Sequence, residues 1–106
     1  MDLMDLYFMH HGHVRWRRLG SQVVVLHQMS GVYYTLNELG GVLWEALDGR
    51  KRLGSILQEV MESYAVDEST ARADFLEIAQ DFIDEGLVRT DLQPIAEADR
   101  PPVTAD

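Results

Sequence analysis

No cysteine occurs in the 106 residues, and basic side chains are outnumbered by acidic ones, 9 against 18. The first absence removes disulfides, thiol nucleophiles and any cysteine-ligated zinc site, and it fits a reducing, cytoplasmic setting. The second leaves a formal charge of −9. Such a chain opposes a sequence-independent grip on nucleic acid, which depends on Lys and Arg neutralising phosphates. Anionic membranes are disfavoured for the same reason. No apolar run approaches the roughly 20 residues that cross a bilayer. The opening "MDLMDLYFMHHGH" carries acids where a secretion signal carries bases, and it has no small-residue cleavage site, so no signal peptide is expected.

What is present suits one folded domain. Hydrophobic residues make up 46% and charged ones 25%, ordinary values for a chain with an interior. Residues 1–12 show no clear period and are expected to form a flexible arm. Residues 13–90 form the domain. From Asp91 onward the Pro, Ala and Asp content points to a disordered tail over 91–106.

Within the domain, "HVRWRR" alternates Val14 and Trp16 against Arg15 and Arg17, the period of a strand with one wet face. "VVVLHQM" is β-branched and apolar, as a central strand should be. "VYYTL" follows a Ser30-Gly31 turn and completes an antiparallel meander of three strands. Three helices are expected next. Asn37 is a good N-cap, and Leu39, Val42, Leu43, Ala46 and Leu47 recur at helical spacing until Asp48-Gly49. The second carries Leu53, Ile56, Leu57, Val60, Met61 and Tyr64 on one side; its start is open, since Ser55 and Gln58 have the spacing of a capping box one turn inside. The third runs from Asp67 to Gly86, and "LVRT" adds a short wing strand.

In such a meander the first and third strands are edges, and edges are usually blunted by charge or proline. The first carries Arg15, Arg17 and Arg18. The third, Val32 to Leu36, carries no charge. Either the wing strand, the N-terminal arm or a second copy of the chain covers it, or it is open to an extended peptide that adds a fourth strand. On the third helix the apolar arc from Ile78 through Phe75 and Ala79 to Leu76 is about 160° wide, more than the roughly 100° stripe one core contact needs. Its Leu76, Ala79 and Ile83 flank is a candidate groove wall beside the third strand, with Arg72 nearby. The competing reading is a deeply buried helix.

Sites for chemistry are few. His10, His11 and His13 are the one metal-like cluster, but they sit in the expected arm and lack a cysteine partner. His27 is an ordinary strand residue. Asp81, Asp84 and Glu85 suit a solvated face better than paired acid–base carboxylates. Gly40-Gly41 lies inside a helix, where small residues permit close packing, and is no phosphate loop. Neither a cofactor nor an enzymatic activity is expected.

The order "YYTLNELGGVLWEALDG", then "VMESY", then "DFLEIAQDFIDEGLV" resembles the PqqD-like family of precursor-peptide recognition elements, over about residues 14 to 90. The resemblance implies an α+β winged helix-turn-helix, an N-terminal three-stranded antiparallel sheet followed by three helices. It implies a leader peptide bound as an extra strand along Val32, Tyr33, Tyr34, Thr35 and Leu36. Phe75, Leu76, Ala79 and Ile83 would form the apolar wall; Arg72, near that flank by helix geometry, either meets an acidic residue of the peptide or makes an ordinary surface ion pair with a neighbouring helix. The implied partners are the leader of a ribosomally made precursor and a modifying enzyme, such as a radical enzyme or a leader peptidase. "HQMSG" replaces the expected "YPEG"-like turn and "GLV" the Gly-Trp pair, so the particular pathway stays open. Two alternatives remain: a DNA-binding winged helix and a homodimer that pairs its bare edges. The first is opposed by the third helix, where seven acids between Asp67 and Gly86 face one arginine.

Overall fold

The computed structural model of the chain describes residues 2–63 and 67–95. Its strands are β1 (Tyr7–His10), β2 (Val14–Leu19), β3 (Gln22–His27), β4 (Val32–Leu36), β5 (Asp48–Arg52) and β6 (Val88–Asp91). Its helices are α1 (Glu38–Ala46), α2 (Leu53–Ser63) and α3 (Glu68–Asp84), and a 3-10 turn at Leu3–Asp5 precedes β1. The fold is mixed α+β. Tyr64, expected on the second helix, and residues 96–106, expected in the tail, lie outside the described residues.

The meander forms as β2–β3–β4, antiparallel throughout. Val23 and Val25 at its centre are fully buried, which is what a β-branched central strand gains by pairing on both sides. Helix α1 starts at Asn37, whose side chain accepts from the Gly40 amide at 2.8 Å. It packs against β3 at Gly41, where an added Cβ would meet Val23 Cγ2 at 3.0 Å. An Arg18–Glu45 ion pair braces β2 against the same helix. Asp67 caps α3 by accepting from the Thr70 amide.

The N-terminal segment departs from the expected flexible arm. Residues 7–10 form β1, the middle strand of a second antiparallel sheet in the order β5–β1–β6. Met4, Tyr7, Phe8 and Met9 are all buried. A strand covered on both faces shows a continuous apolar run without alternation, so a search for period two passes over it. Strand β5, "DGRKR", has no strand pattern either; it pairs with β1 at the sheet's edge, where charge is normal. Gly49 in β5 has φ +76, and a Cβ there would meet Ile95 Cβ at 3.0 Å and Met9 Cε at 3.1 Å. Ile95, expected in the disordered tail, is buried against Tyr7 and Met9 and donates its amide to the Gly49 carbonyl. The expected wing is β6, and its partner is β1.

Candidate functional site

Strand β4 is paired on one side only. Among the described residues its partner is β3, while β6 and the N-terminal strand, both considered as covers for this edge, are engaged with each other and with β5. The Gln28 amide donates to the His13 carbonyl, so the backbone groups of residue 28, and by alternation those of Leu26, Val24 and Gln22, face β2. Val23, Val25 and His27 therefore face β4, where they oppose Leu36, Tyr34 and Val32. The remaining residues, Tyr33 and Thr35, turn their N–H and C=O groups out to the open edge. Side chains follow the complementary rule: Tyr34 and Leu36 share the face of buried Val23 and Val25, and Tyr33 and Thr35 share the opposite face with Val24 and Leu26.

A groove of about 580 Å³ runs along this edge. One side is Tyr33 to Asn37 with Gly40; the other is Ile78, Asp81 and Phe82 of α3, its C-cap Glu85, and Leu87. The volume lies in the range of specific binding sites. Tyr34 Oη donates to Glu85 Oε2 at 2.9 Å, tying the strand to the last turn of α3. That hydrogen bond, with smaller contributions from burial and from the Glu85 charge, raises the Tyr34 pKa. The Asp81 carboxylate also lines the groove and is exposed.

Of the strand residues expected to bind, Tyr33, Tyr34, Thr35 and Leu36 line this groove, and Val32 does not. Val32, Tyr33 and Thr35 are exposed and Tyr34 and Leu36 half-buried. The expected helix wall is elsewhere. Phe75 and Ala79 are fully buried in the core, Leu76 and Ile83 are packed against that core, and none of them lines the groove. Arg72 meets Asp2, in front of the 3-10 turn, at 3.5 Å. At about 100° per residue, Ile78, Phe82, Asp81 and Glu85 occupy one arc; Phe75 falls at its edge, about 20° from Phe82, and Leu76, Ala79, Ile83 and Arg72 lie more than a quarter turn from its centre. The wide apolar arc was legible, but its other end faces the strand. Asp81 and Glu85, read as part of a solvated face, were the missed signal, since they flank Ile78 and Phe82 at helical spacing.

The histidines split. His10 turns inward, stacked on Trp44 with ring centroids 3.8 Å apart, and its Nε2 lies 2.7 Å from the Trp44 carbonyl oxygen. Burial lowers its pKa to about 4, against an upward pull from that backbone contact. His11, His13 and His27 stack beside the end of α3, where His13 Nε2 lies 2.9 Å from the Gly86 carbonyl oxygen. The His11 pKa is lowered, first by burial and then by the neighbouring His13, Arg89 and His27. Among the described residues no group of three or more His, Asp or Glu is arranged to hold a metal ion.

Comparison with known proteins gives consistent results. A structure of TbiB1 in complex with the TbiA(beta) leader peptide is similar, with a TM-score of 0.70 and 25% identity over 76% of this chain and 94% of that one. A lasso peptide synthetase B1 complexed with the leader peptide has a TM-score of 0.68 over 77% of this chain and 96% of that one; at 20% identity it speaks to the fold alone. Comparison with curated proteins gives no match. The profile of coenzyme PQQ synthesis protein D matches residues 22–88, more than half of the sequence, from β3 into β6. The chain belongs to the PqqD family.

Proposed function

We propose that the chain is a non-catalytic peptide-binding adaptor. It captures the leader of a ribosomally made precursor by strand addition to β4 and presents it to a modifying enzyme or leader peptidase, in the cytoplasm. The observation that carries this is the open edge of β4: two outward backbone amides and carbonyls, at Tyr33 and Thr35, line a groove with an apolar floor. Main-chain bonds along such an edge give affinity, and pockets for alternate side chains give specificity. The similar TbiB1 structure is itself a leader-peptide complex, which supports the reading. In this reading the helices and β6 have the winged-helix order, and the peptide occupies the strand side of α3. The binding residues are Val32 to Leu36 with Ile78, Phe82 and Leu87, which take the places first given to Phe75, Leu76, Ala79, Ile83 and Arg72.

A DNA-binding role is disfavoured by α3, which would bring Glu68, Asp74, Glu77, Asp81 and Asp84 to the phosphates. The test is an NMR titration of isotope-labelled protein with leader peptides of candidate precursors. Shifts that saturate and concentrate in residues 31–36 and 78–87 are expected. A silent groove with every leader, together with a response of α3 to duplex DNA, would overturn the adaptor reading. Line broadening that grows with protein concentration alone, centred on β4, would point instead to edge-paired homodimers.

A further inference from the structure

The groove differs in chemistry along its length. Tyr34 meets Glu85 near the C-terminal end of α3, and Asp81 lies one turn earlier on the same face. Ile78, about 10 Å back along the helix axis from Glu85, lines the same groove. The helix side is therefore acidic at one end and apolar at the other. Among the described residues the side-chain partner of Glu85 is the neutral Tyr34 hydroxyl, and Asp81 has no side-chain partner. Two negative charges thus line a site whose neighbouring strand carries no charge of either sign.

Geometry makes these charges readable by a strand. Positions four apart on a helix are about 6 Å apart along its axis. Alternate residues of a strand are about 6.6 Å apart and point to the same side. A strand added to β4 therefore places successive helix-facing side chains in step with the turns of α3. One such side chain meets the Leu36, Ile78 and Phe82 surface, and another, farther along, meets Asp81 and Glu85.

Resting on the strand-addition reading above, we propose that the groove selects a cationic segment. The captured peptide carries an apolar residue at one helix-facing position and Lys or Arg at another, paired with Asp81 and Glu85. The net charge of −9 acts in the same direction, drawing a basic segment in and slowing the approach of an acidic one. Arg suits the site best, because its planar fork can bridge two carboxylates one helical turn apart.

The test is selection of a phage-displayed random peptide library against two baits, the full chain and its Asp81→Asn/Glu85→Gln double variant. Both substitutions keep the side-chain shape, and the amide introduced by Glu85→Gln retains an oxygen for the Tyr34 hydroxyl. Circular dichroism checks that the variant is folded. Peptides recovered on the natural chain should carry Lys or Arg at an even offset from an apolar residue. One of them, synthesised and titrated, should bind the double variant about fivefold more weakly at low salt, with the difference shrinking as salt screens the pair. Recovered peptides that bind in the groove but are neutral or acidic at that position, or that bind both baits equally, would overturn the charge selection while leaving strand addition standing. Failure of the natural chain to enrich any groove-binding peptide would overturn both.

Discussion

His10 lies flat against Trp44 with its Nε2–H donating to the Trp44 carbonyl, and burial, outweighing the upward pull of that contact, holds the imidazole neutral in the folded protein. Its pKa falls from 6.5 to about 4, and the sign of the consequence follows. Between those values the unfolded chain binds a proton that the folded chain refuses. The stabilisation is complete above pH 6.5 and is lost as pH falls toward 4, by an amount of order 3 kcal/mol. His10→Gln can still donate to the Trp44 carbonyl but does not titrate. Between neutral pH and pH 4 the urea unfolding midpoint should therefore fall further in the natural chain than in this variant. Parallel losses would mean that His10 is open to water. The "HHGH" stretch shows why sequence stops short here: spacing reveals neighbours along the chain, whereas His10 and His11 turn to opposite sides and meet different partners.

At the scale of elements, the alternation in β4 makes two adjacent positions opposite in effect. The Tyr34 amide faces β3, so Tyr34→Pro removes a ladder bond and should loosen β4 itself. The Thr35 amide faces the open edge, where proline is tolerated. Thr35→Pro should leave thermal unfolding nearly unchanged and weaken leader binding by about tenfold, the effect of one lost main-chain bond. Equal binding by the folded Thr35→Pro protein would exclude strand addition in this register. The helix wall gives a second comparison. Ile78→Ala and Leu76→Ala truncate half-buried side chains on either end of the same apolar arc. Calorimetric titration with a bound leader should show about tenfold weaker binding for Ile78→Ala, from the lost apolar contact, and little change for Leu76→Ala. The strand was legible in the sequence because its lack of charge is a local property. Which end of the helix's arc faces it was not, because that depends on how α3 crosses the sheet.

At the scale of the molecule, the meander, the Asn37 and Asp67 caps and the third helix could be read from periodicity and end signals, each carried by a handful of neighbouring residues. The second sheet could not. Its three strands come from residues 7–10, 48–52 and 88–91, are four or five residues long, and make sense only together. The middle one is apolar on both faces and one edge is almost wholly charged, so neither shows strand alternation. The family profile, which begins at Gln22, also leaves β1 outside its match. The N-terminal segment nevertheless supplies Met4, Tyr7, Phe8 and Met9 to the interior, and its backbone joins β5 to β6. At about 2 kcal/mol for each buried side chain, removing residues 1–10 forfeits roughly 8 kcal/mol, a sum comparable to the whole stability of a small domain. The truncated chain should therefore lack a cooperative thermal transition and lose the dispersed amide spectrum expected of the natural chain. A truncated protein that still melts cooperatively and binds leader would show that β2–β3–β4 with the three helices is a self-sufficient unit, and that the second sheet is an addition to it.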